Sequence, residues 1–433
     1  MSEFFEIAYA AVTKRLCFFT GSGFSSAISN NSSPTWESLL IHLCDLTEAP
    51  EELKETFFDA SQKSILSLEE IAQVIQIELD KIGKCIYEEI LNIVKDIRLG
   101  GDIDEIKKFF DTQSFRVVTT NYDKLTEELS SKRCQSISPG NPIPRSSSPV
   151  KIYHVHGSVD SYTKMIVTAN DYYNFINIDT YFSRKLSTIL HENTLVILGY
   201  KLGDSNLKAI INDYKNYSLE NLLGSSIFFI SRSKVNQYIK DYYYRTYSIR
   251  VIDEISTNDF FNNINRNLDR AKECSETTIQ NIQKIILKTH SFSEDYLKVE
   301  NSFYEILSSI NAVGFSYNNV HTQRIIIEVI KKKKEFTSET GAWVQYEILA
   351  KWLTYLLSIV DIRGMDFEEE ILNAVRYSME NMSRELKLGY SWHAYNVWSR
   401  RRTSVSSDNR LLIKNYLTSH SLNNDVKDLL DCF

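Results

Sequence analysis

Four short stretches of the sequence combine glycine with Ser, Asn, Asp or His, the residue types that bind phosphorylated ligands and transfer protons. They lie at 18–25, 117–124, 153–160 and 197–207 and read FFTGSGFS, VVTTNYDK, YHVHGSVD and ILGYKLGDSNL. In each stretch an apolar run ends and polar residues or glycines follow directly. This pattern is typical of buried strands that deliver the residues after them to a ligand cleft.

The first stretch places Gly21 and Gly23 on either side of Ser22, and Ser25 opens a predicted helix. Glycine lets the backbone approach a pyrophosphate, and the free amides at a helix N-terminus attract that anion. The spacing departs from the dinucleotide fingerprint because Ser26 stands where the third glycine would be. The stretch is compatible with a phosphate cradle and also with a plain tight turn between strand and helix.

The second stretch ends a buried strand with Asn121, Tyr122 and Asp123. Ligands of open parallel sheets lie outside the carboxyl ends of the strands, so we expect this polar triplet to face the cleft. The alternative for Asp123 is that it only caps the helix that follows, a common role for aspartate.

The third stretch contains two histidines at alternate positions, His154 and His156, which a strand directs to the same side. Metal ligation by the pair is one interpretation, but no cysteine or acidic cluster accompanies them. Because His156 stands at the end of the predicted strand and precedes Gly157, it fits a general base in a cleft better than a core histidine. The fourth stretch repeats the pattern with Gly199, Tyr200 and Asp204.

The elements that must position these residues alternate along the first part of the chain. Short apolar runs predict strands, and the runs between them predict helices at 34–48, 67–97 and 123–131. The predicted strands are 16–20, 115–120, 151–157, 164–169, 194–200, 226–231 and 247–253. This alternation predicts an α/β, Rossmann-like parallel sheet.

The distribution of proline and glycine predicts where this sheet domain ends. All six prolines precede residue 150, and four of them, with five serines, lie in the stretch 136–150, which predicts a loop that borders or covers the cleft. After about residue 270 the apolar spacing is helical. We therefore expect a sheet domain at 1–270 and an all-α domain at 271–433.

Composition excludes several classes of protein. The chain has 433 residues, 43% of them hydrophobic, and a net charge of -7, which argues against a protein that coats nucleic acid. Its six cysteines are scattered singly, so neither a disulfide framework nor a zinc ribbon is predicted. The N-terminal residues lack the pattern of a signal peptide, and no long apolar run is present, so we expect a cytoplasmic protein without a membrane segment.

Together, the order and spacing of the four stretches resemble the sirtuin (silent information regulator) family over roughly residues 10–270. The family motifs G-[AS]-G-x-S, T-x-N-x-D, H-G-[ST] and G-Y-x-x-x-D match Gly21-Ser22-Gly23-Phe24-Ser25, Thr119-Thr120-Asn121-Tyr122-Asp123, His156-Gly157-Ser158 and Gly199-Tyr200 through Asp204. The sequence PTW at 34–36 also resembles the P-x-W of the family.

The resemblance implies an NAD-binding domain that cleaves the bond between nicotinamide and ribose. In it, Asn121 and Asp123 would hold the ribose and a water, and His156 would act as a general base titrating near pH 7. This cleavage passes through an oxocarbenium-like state, which oriented dipoles stabilise. The remaining motif positions would bind the nucleotide, with the first four near the pyrophosphate: Gly21, Ser22, Gly23, Ser25, Thr120, Gly157, Ser158, Gly199, Tyr200 and Asp204.

One departure from the family changes the expected reaction. Sirtuin deacylases carry a four-cysteine zinc module, and no cysteine pair here builds one, so protein deacylation is disfavoured and no metal is expected. The variant TTNYD, with HVHGS and GYKLGDSN, resembles sirtuin-like domains of bacterial antiphage systems. NAD would then be hydrolysed to nicotinamide and ADP-ribose in abortive infection. The alternative is a non-catalytic NAD or ADP-ribose sensor, although a pure binder has no need of the base His156.

The resemblance also implies which partners the protein binds. Constant NAD hydrolysis would be toxic, so we expect the helical region to hold the enzyme in a homo-oligomer, to sense a trigger or to bind a partner. Similar sirtuin-like proteins are encoded beside HerA-like hexameric ATPases, which makes such an ATPase the candidate partner.

Overall fold

The computed structural model describes residues 2–59, 65–131, 133–143, 147–177, 181–201, 227–286, 291–339, 341–420 and 422–433. Within them, seven parallel strands form one sheet in the order β3-β4-β2-β1-β5-β6-β7. The strands are β1 Leu16–Thr20, β2 Phe115–Thr119, β3 Cys134–Ile137, β4 Val150–His154, β5 Thr194–Leu198, β6 Ile227–Ile230 and β7 Ile249–Ile252.

Helices connect the strands and make up the rest of the chain. Those of the first part are α1 Ser2–Val12, α2 Ser22–Ile28, α3 Trp36–Cys44, α4 Pro50–Phe58, α5 Leu68–Lys81, α6 Ile86–Val94, α7 Asp104–Thr112, α8 Leu125–Leu129, α9 Ala169–Asn177, α10 Tyr181–Glu192, α11 Gln237–Tyr247 and α12 Thr257–Asn265. Those that follow are α13 Leu268–Ile286, α14 Glu294–Lys298, α15 Ser302–Ala312, α16 Val320–Phe336, α17 Trp343–Ile359, α18 Glu368–Glu380, α19 Trp392–Arg401, α20 Ser407–Thr418 and α21 Asn424–Asp431. Short 3-10 helices occupy Val159–Lys164 and Arg402–Ser404.

The predicted Rossmann-like parallel sheet followed by a helical region is confirmed, and six of the predicted strands coincide with observed ones. The predicted strand 164–169 is wrong. Its apolar residues are buried, but the amide of Ile166 donates to the carbonyl of His156, and those of Val167 and Thr168 donate to the carboxylate of Asp171. These amides therefore bond to loop and side-chain acceptors rather than to a neighbouring strand.

Two further boundaries differ from the prediction. The short polar strand β3 was not predicted, and its last residues fall in the stretch 136–150 that was predicted as a loop. The single helix predicted at 67–97 is two helices, α5 and α6, because Gly83 between them has a φ of +69° that ends the first.

Each face of the sheet packs on its own set of helices. On one face, Phe18, Val117 and Phe228 belong to a core shared with α1, α7 and α12. On the other face, Phe19 and Ile197 pack with residues of α10 and α11. A third, smaller core joins α3, α5 and α6 to the residues that follow the strands, including Tyr122 and Met165. The carboxyl ends of the strands are thus flanked by a separate helical layer.

The helical region packs directly on the sheet domain. Helix α1 contacts α13 and α15, and one continuous apolar core runs from the sheet through α17. A buried ion pair adds to this contact: Arg250 of β7 lies 2.5 Å from Glu6 of α1, which also accepts a hydrogen bond from Tyr355 of α17 at 2.9 Å. The boundary predicted at residue 270 lies inside α13, so the division into two domains stays a prediction. Among the described helices, none has the length and apolar character needed to cross a membrane.

Candidate functional site

The described parts of the four stretches, which exclude residues 202–207, converge at the carboxyl ends of adjacent strands. Strand β1 lies between β2 and β5, so the strand order runs outward from β1 on both sides. Such a reversal of strand order creates a crevice at the carboxyl end of β1. The residues after β4 join this edge because β4 pairs with β2, with Thr119 opposite His154. The predicted convergence of these motifs therefore occurs in the described structure.

The glycines of the first stretch are explained by close packing against the end of β5. The amides of Gly21 and Gly23 donate to the carbonyls of Leu198 and Gly199, both at 3.0 Å. A Cβ on either glycine would lie within 2.9 Å of the Gly199 carbonyl oxygen. Gly199 itself has a φ of +73°, and a Cβ there would collide with the amide nitrogen of Phe24. The tight-turn interpretation therefore accounts for these glycines, and their contact with a pyrophosphate stays a prediction.

Asn121 is held in place from three sides. Its side-chain amide donates to the carbonyl of Gly21 at 2.9 Å and to Oγ of Ser25 at 2.7 Å. Its backbone amide donates to Oγ1 of Thr119 at 3.1 Å. Since both hydrogens of the side-chain amide are engaged, the oxygen Oδ1 is the group that Asn121 offers to a ligand.

The contacts of Asp123 favour its structural role at the start of α8. It is buried, and its Oδ1 accepts a hydrogen bond from the amide of Leu125, the first residue of α8, at 3.1 Å, while its contact with a ligand stays a prediction. Burial raises the pKa of Asp123, although hydrogen bonds from Ser25 and from the Leu125 amide partly oppose this. Through Ser25, Asp123 is connected to Asn121 in the same hydrogen-bonded group.

His156 is a buried histidine in an aromatic environment. The rings of Tyr172 and Phe175 pack edge-on against it at 5.2 and 5.8 Å, and the hydroxyl of Tyr172 lies 3.4 Å from Nδ1. Burial lowers the pKa of His156 to about 4. The imidazole is therefore neutral at pH 7, and its pKa lies below the near-neutral value expected for the base. A neutral ring is the form that accepts a proton.

Gly157 and Ser158 complete the turn after β4. Gly157 has a φ of +84°, and a Cβ there would lie 2.9 Å from the carbonyl oxygen of Lys164, so only glycine fits. The hydroxyl of Ser158 is buried and has no hydrogen-bond partner within the described part of the chain. Such an orphaned polar atom beside His156 fits a ligand-binding cleft.

Two further predicted binding residues, Thr120 and Tyr200, follow β2 and β5. The hydroxyls of Thr120 and Tyr200 are 2.6 Å apart, and the ring of Tyr200 stacks on Phe19 of β1 at 5.1 Å. These contacts join the ends of three neighbouring strands. Asp204 lies outside the described residues, and Ser22 begins α2 directly after Gly21.

His154 differs from His156 in every contact. Its ring is fully buried, with Nδ1 2.9 Å from the carbonyl oxygen of Asn121 and Nε2 2.8 Å from Oε1 of Glu127. Burial alone would lower the pKa of His154, but the charge of Glu127 and its hydrogen bond raise it overall. Because protein atoms engage both ring nitrogens, the interpretation of His154 and His156 as a metal-ligand pair is wrong. No cluster of three or more metal-ligating side chains occurs among the residues whose positions are described.

Sequence reasoning missed Glu127 and Lys124 beside this site. Lys124 lies 2.6 Å from Glu127 and 2.6 Å from Asp160, so the four charges of Lys124, Glu127, His154 and Asp160 form one network. The spacing of Lys124 and Glu127, three apart at a helix start, is a signal that the sequence contains. Nothing in the sequence shows that this pair reaches His154.

Comparison with known proteins agrees with this geometry. Residues 116–252, from β2 to β7, match the family described as SIR2-like domain. The chain is also 26% identical over 215 residues to "Defense-associated sirtuin 2" of Bacillus subtilis. The aligned part is 48% of this chain but only 20% of that protein, so the chain spans about a fifth of the relative's length. Residues 116–252 of this chain are therefore similar to a SIR2-like domain.

Proposed function

We propose that the protein hydrolyses NAD between nicotinamide and ribose, releases nicotinamide and ADP-ribose, and acts as an antiphage defence effector. One observation carries the proposal. Asn121 is immobilised by Gly21 and Ser25 at the sheet's switch point, and the neutral, buried His156 follows the neighbouring strand. An oriented amide dipole and an uncharged base at one sheet edge are what this cleavage requires.

The amide of Asn121 supports the step in which the bond to nicotinamide breaks. Positive charge develops on the ribose as this bond lengthens. The carbonyl oxygen Oδ1 carries the negative end of the amide dipole, and a fixed dipole stabilises that charge without having to reorient. The hydrogen bonds from Nδ2 to Gly21 and Ser25 keep the amide from rotating.

His156 supplies the acceptor for a proton. Burial lowers its pKa to about 4, so the ring is uncharged at neutral pH and has a lone pair for a proton from a ribose hydroxyl or from the attacking water, and the same burial makes it a weaker base than an exposed imidazole. The edges of Tyr172 and Phe175 shield the ring, which keeps a positive charge away from the ribose before the reaction begins.

Water is the acceptor of the ribosyl group in this proposal. The SIR2-like match supports NAD as the substrate. Sirtuin-like deacylation needs a zinc-supported cleft for acyl-lysine, and the six cysteines provide no pair that would build the zinc module. Without that second substrate, hydrolysis is the remaining reaction.

The defence role and the partners rest on similarity. The relative from Bacillus subtilis is named as defence-associated, and this supports a role in abortive infection. We place the protein in the cytoplasm as a homo-oligomer whose helical region controls the activity, with a HerA-like hexameric ATPase as the candidate partner. The direct packing of α13 and α15 on α1 gives that region a physical route to the sheet.

The test is chromatographic detection of nicotinamide and ADP-ribose after incubation of the purified protein with NAD. We expect release from the wild type and at least about a 10²-fold slower release from Asn121→Ala, the size of loss seen when one oriented dipole is removed. Asn265→Ala is the matched control, because that amide also donates two hydrogen bonds, both to Glu105, but lies between α12 and α7.

Two results would contradict the proposal. Equal release from the wild type and Asn121→Ala would remove the site assignment. Calorimetric binding of NAD without nicotinamide release, with and without the ATPase partner, would favour the sensor instead.

A further inference from the structure

His154 has a buried position beside the site and no part in the proposed chemistry. It is the last residue of β4, fully buried, and its ring lies between the carbonyl oxygen of Asn121 and the carboxylate of Glu127. The two contacts, at 2.9 and 2.8 Å, are both of hydrogen-bond length. Its ring is therefore fixed at both ends, one of them on the backbone of a proposed catalytic residue.

Both partners of His154 are acceptors only. A backbone carbonyl has no hydrogen to donate, and Glu127 already receives a hydrogen bond from Ser136 at 2.7 Å and an ion-pair contact from Lys124 at 2.6 Å. Burial would raise the pKa of Glu127, but His154 and Lys124 together hold it far below its ordinary range. A ring with an acceptor at each nitrogen must carry both hydrogens, so His154 is an imidazolium ion.

The groups around His154 balance this charge. Glu127 from α8 is its direct counter-ion, and Lys124 before that helix pairs with Asp160 of the adjacent 3-10 helix. Asp123 also faces this group of charges. His154 and Lys124 are thus paired with the carboxylates of Glu127 and Asp160, which is the condition under which buried charges persist, and Asp123 is a third acidic group beside them.

We propose that Glu127 and His154 are positioning residues. The charged ring of His154 holds the Asn121 carbonyl and so fixes the loop that presents the Asn121 amide. This proposal rests on the hydrolysis proposed above. A charge-assisted hydrogen bond is stronger than a neutral one. Here it acts on the carbonyl of Asn121, which is the backbone group that the contacts to Thr119, Gly21 and Ser25 leave free. Small displacements of an oriented group are costly in rate.

The decisive variant is Glu127→Gln, which keeps the size of the side chain and removes its charge. A neutral glutamine no longer stabilises the buried imidazolium, so the ring loses a proton and serves one acceptor instead of two. We expect kcat for nicotinamide release to fall about 10- to 100-fold, the range for a group that orients a reacting residue, with a much smaller change in KM.

The pH profile separates positioning from a merely structural effect. The raised pKa of His154 means that wild-type kcat declines only as the pH rises through that raised value. In Glu127→Gln the same alkaline decline moves to lower pH, because the counter-ion that raised the pKa is gone. A variant that is only less stable would lose activity without this shift.

Two other variants control for the case in which Glu127→Gln fails to fold. His154→Gln replaces the ring by an uncharged donor, and we expect it to lower kcat without an alkaline decline of its own. Glu305→Gln is the matched control, since Glu305 is similarly buried (16% exposed against 14% for Glu127) and pairs with Arg270 in the helical region. We expect its kcat and pH profile to match the wild type.

A readout independent of activity completes the test. Nitrogen NMR of the His154 ring at pH 7 should show both nitrogens protonated in the wild type, and amide hydrogen exchange over residues 120–125 should quicken in Glu127→Gln but not in Glu305→Gln. A singly protonated wild-type ring, or unchanged exchange and kcat in Glu127→Gln, overturns the positioning role. Absence of nicotinamide release from the wild type would refute the hydrolysis, and the NMR and exchange results would still decide the role of His154.

Discussion

At the carboxyl ends of the strands, the buried cation His154 lies against a carboxylate, whereas the buried amine of Lys333 in the helical region has neutral partners. Lys333 of α16 is fully buried, and its Nζ donates to Oε1 of Gln345 at 2.7 Å and to the carbonyl of Lys298 at 3.3 Å. It also lies 4.2 Å from the ring centroid of Trp352. Burial lowers the pKa of Lys333 to about 7, while the pKa of His154 is raised.

This difference shows that the two regions use their polar groups for different purposes. The sheet edge pairs its charges, and in our proposal Asn121 Oδ1 and Ser158 Oγ are the atoms that it offers to a ligand. The helical region is held by apolar and aromatic packing, as in the stacking of Trp352 on Phe303 at 5.0 Å. We therefore expect substitutions at the edge to change chemistry and those in the helices to change stability.

The largest expected effect is that of His156→Gln at the sheet edge. Removal of a general base lowers rates by about 10²- to 10⁴-fold, and we expect that loss in nicotinamide release at pH 7. Because the pKa of His156 is about 4, wild-type activity should decline on the acid side only as the pH falls toward that value. The exposed His321→Gln of α16 is the control. Comparable losses in the two variants would erase the functional distinction between the regions.

The second-largest expected effect is the difference in free energy of unfolding between Gly199→Ala and Gly314→Ala. Both glycines have left-handed φ angles, +73° and +80°, but a Cβ would collide with the backbone of Phe24 in the first and meet nothing within 4 Å in the second. Thermal or urea unfolding should show a loss of roughly 3 kcal/mol or more at Gly199, from backbone strain plus overpacking, and about 1 kcal/mol at Gly314. Equal losses of stability would mean that the turn at residues 21–24 moves easily to accommodate a side chain at position 199.

The smallest effect is expected for Lys333→Met in the helical region. The folded pKa of Lys333, about 7, lies below its unfolded value, so the unfolded chain holds more protons between these values and wild-type stability rises with pH. The variant should be more stable than the wild type at pH 7, as for other buried charges replaced by apolar groups, and the wild type should gain on it as the pH rises toward 10. A difference independent of pH would show that Lys333 stays charged when folded.

The predictable part of the molecule was its local pattern. Apolar runs that end in polar residues marked the ends of β1, β2, β4 and β5, and the motif spacing brought Asn121 and His156 to one edge. The run at 164–169 misled because burial against Tyr122 and α5 gives it the same apolar character as a strand. Strand β3, of sequence CQSI, lacks that character because it lies at the edge of the sheet.

The unpredictable part depends on contacts between residues far apart in the chain. Gly21 and Gly23 must be glycine because Gly199 lies against them, and that partner is about 180 residues away in the sequence. The charge on His154 likewise depends on Glu127, 27 residues earlier, and on the exclusion of water. Residue type and spacing carry no direct record of either contact.

The attachment of α1 to the helical region has a consequence for synthesis of the protein. Tyr355, which donates a hydrogen bond to Glu6, is 349 positions later in the sequence. At roughly 5–20 residues per second, about 17–70 s separate the two. Helix α1 therefore completes its packing only after Tyr355 has been synthesised, so its contact surface stays accessible to chaperones and proteases during that interval.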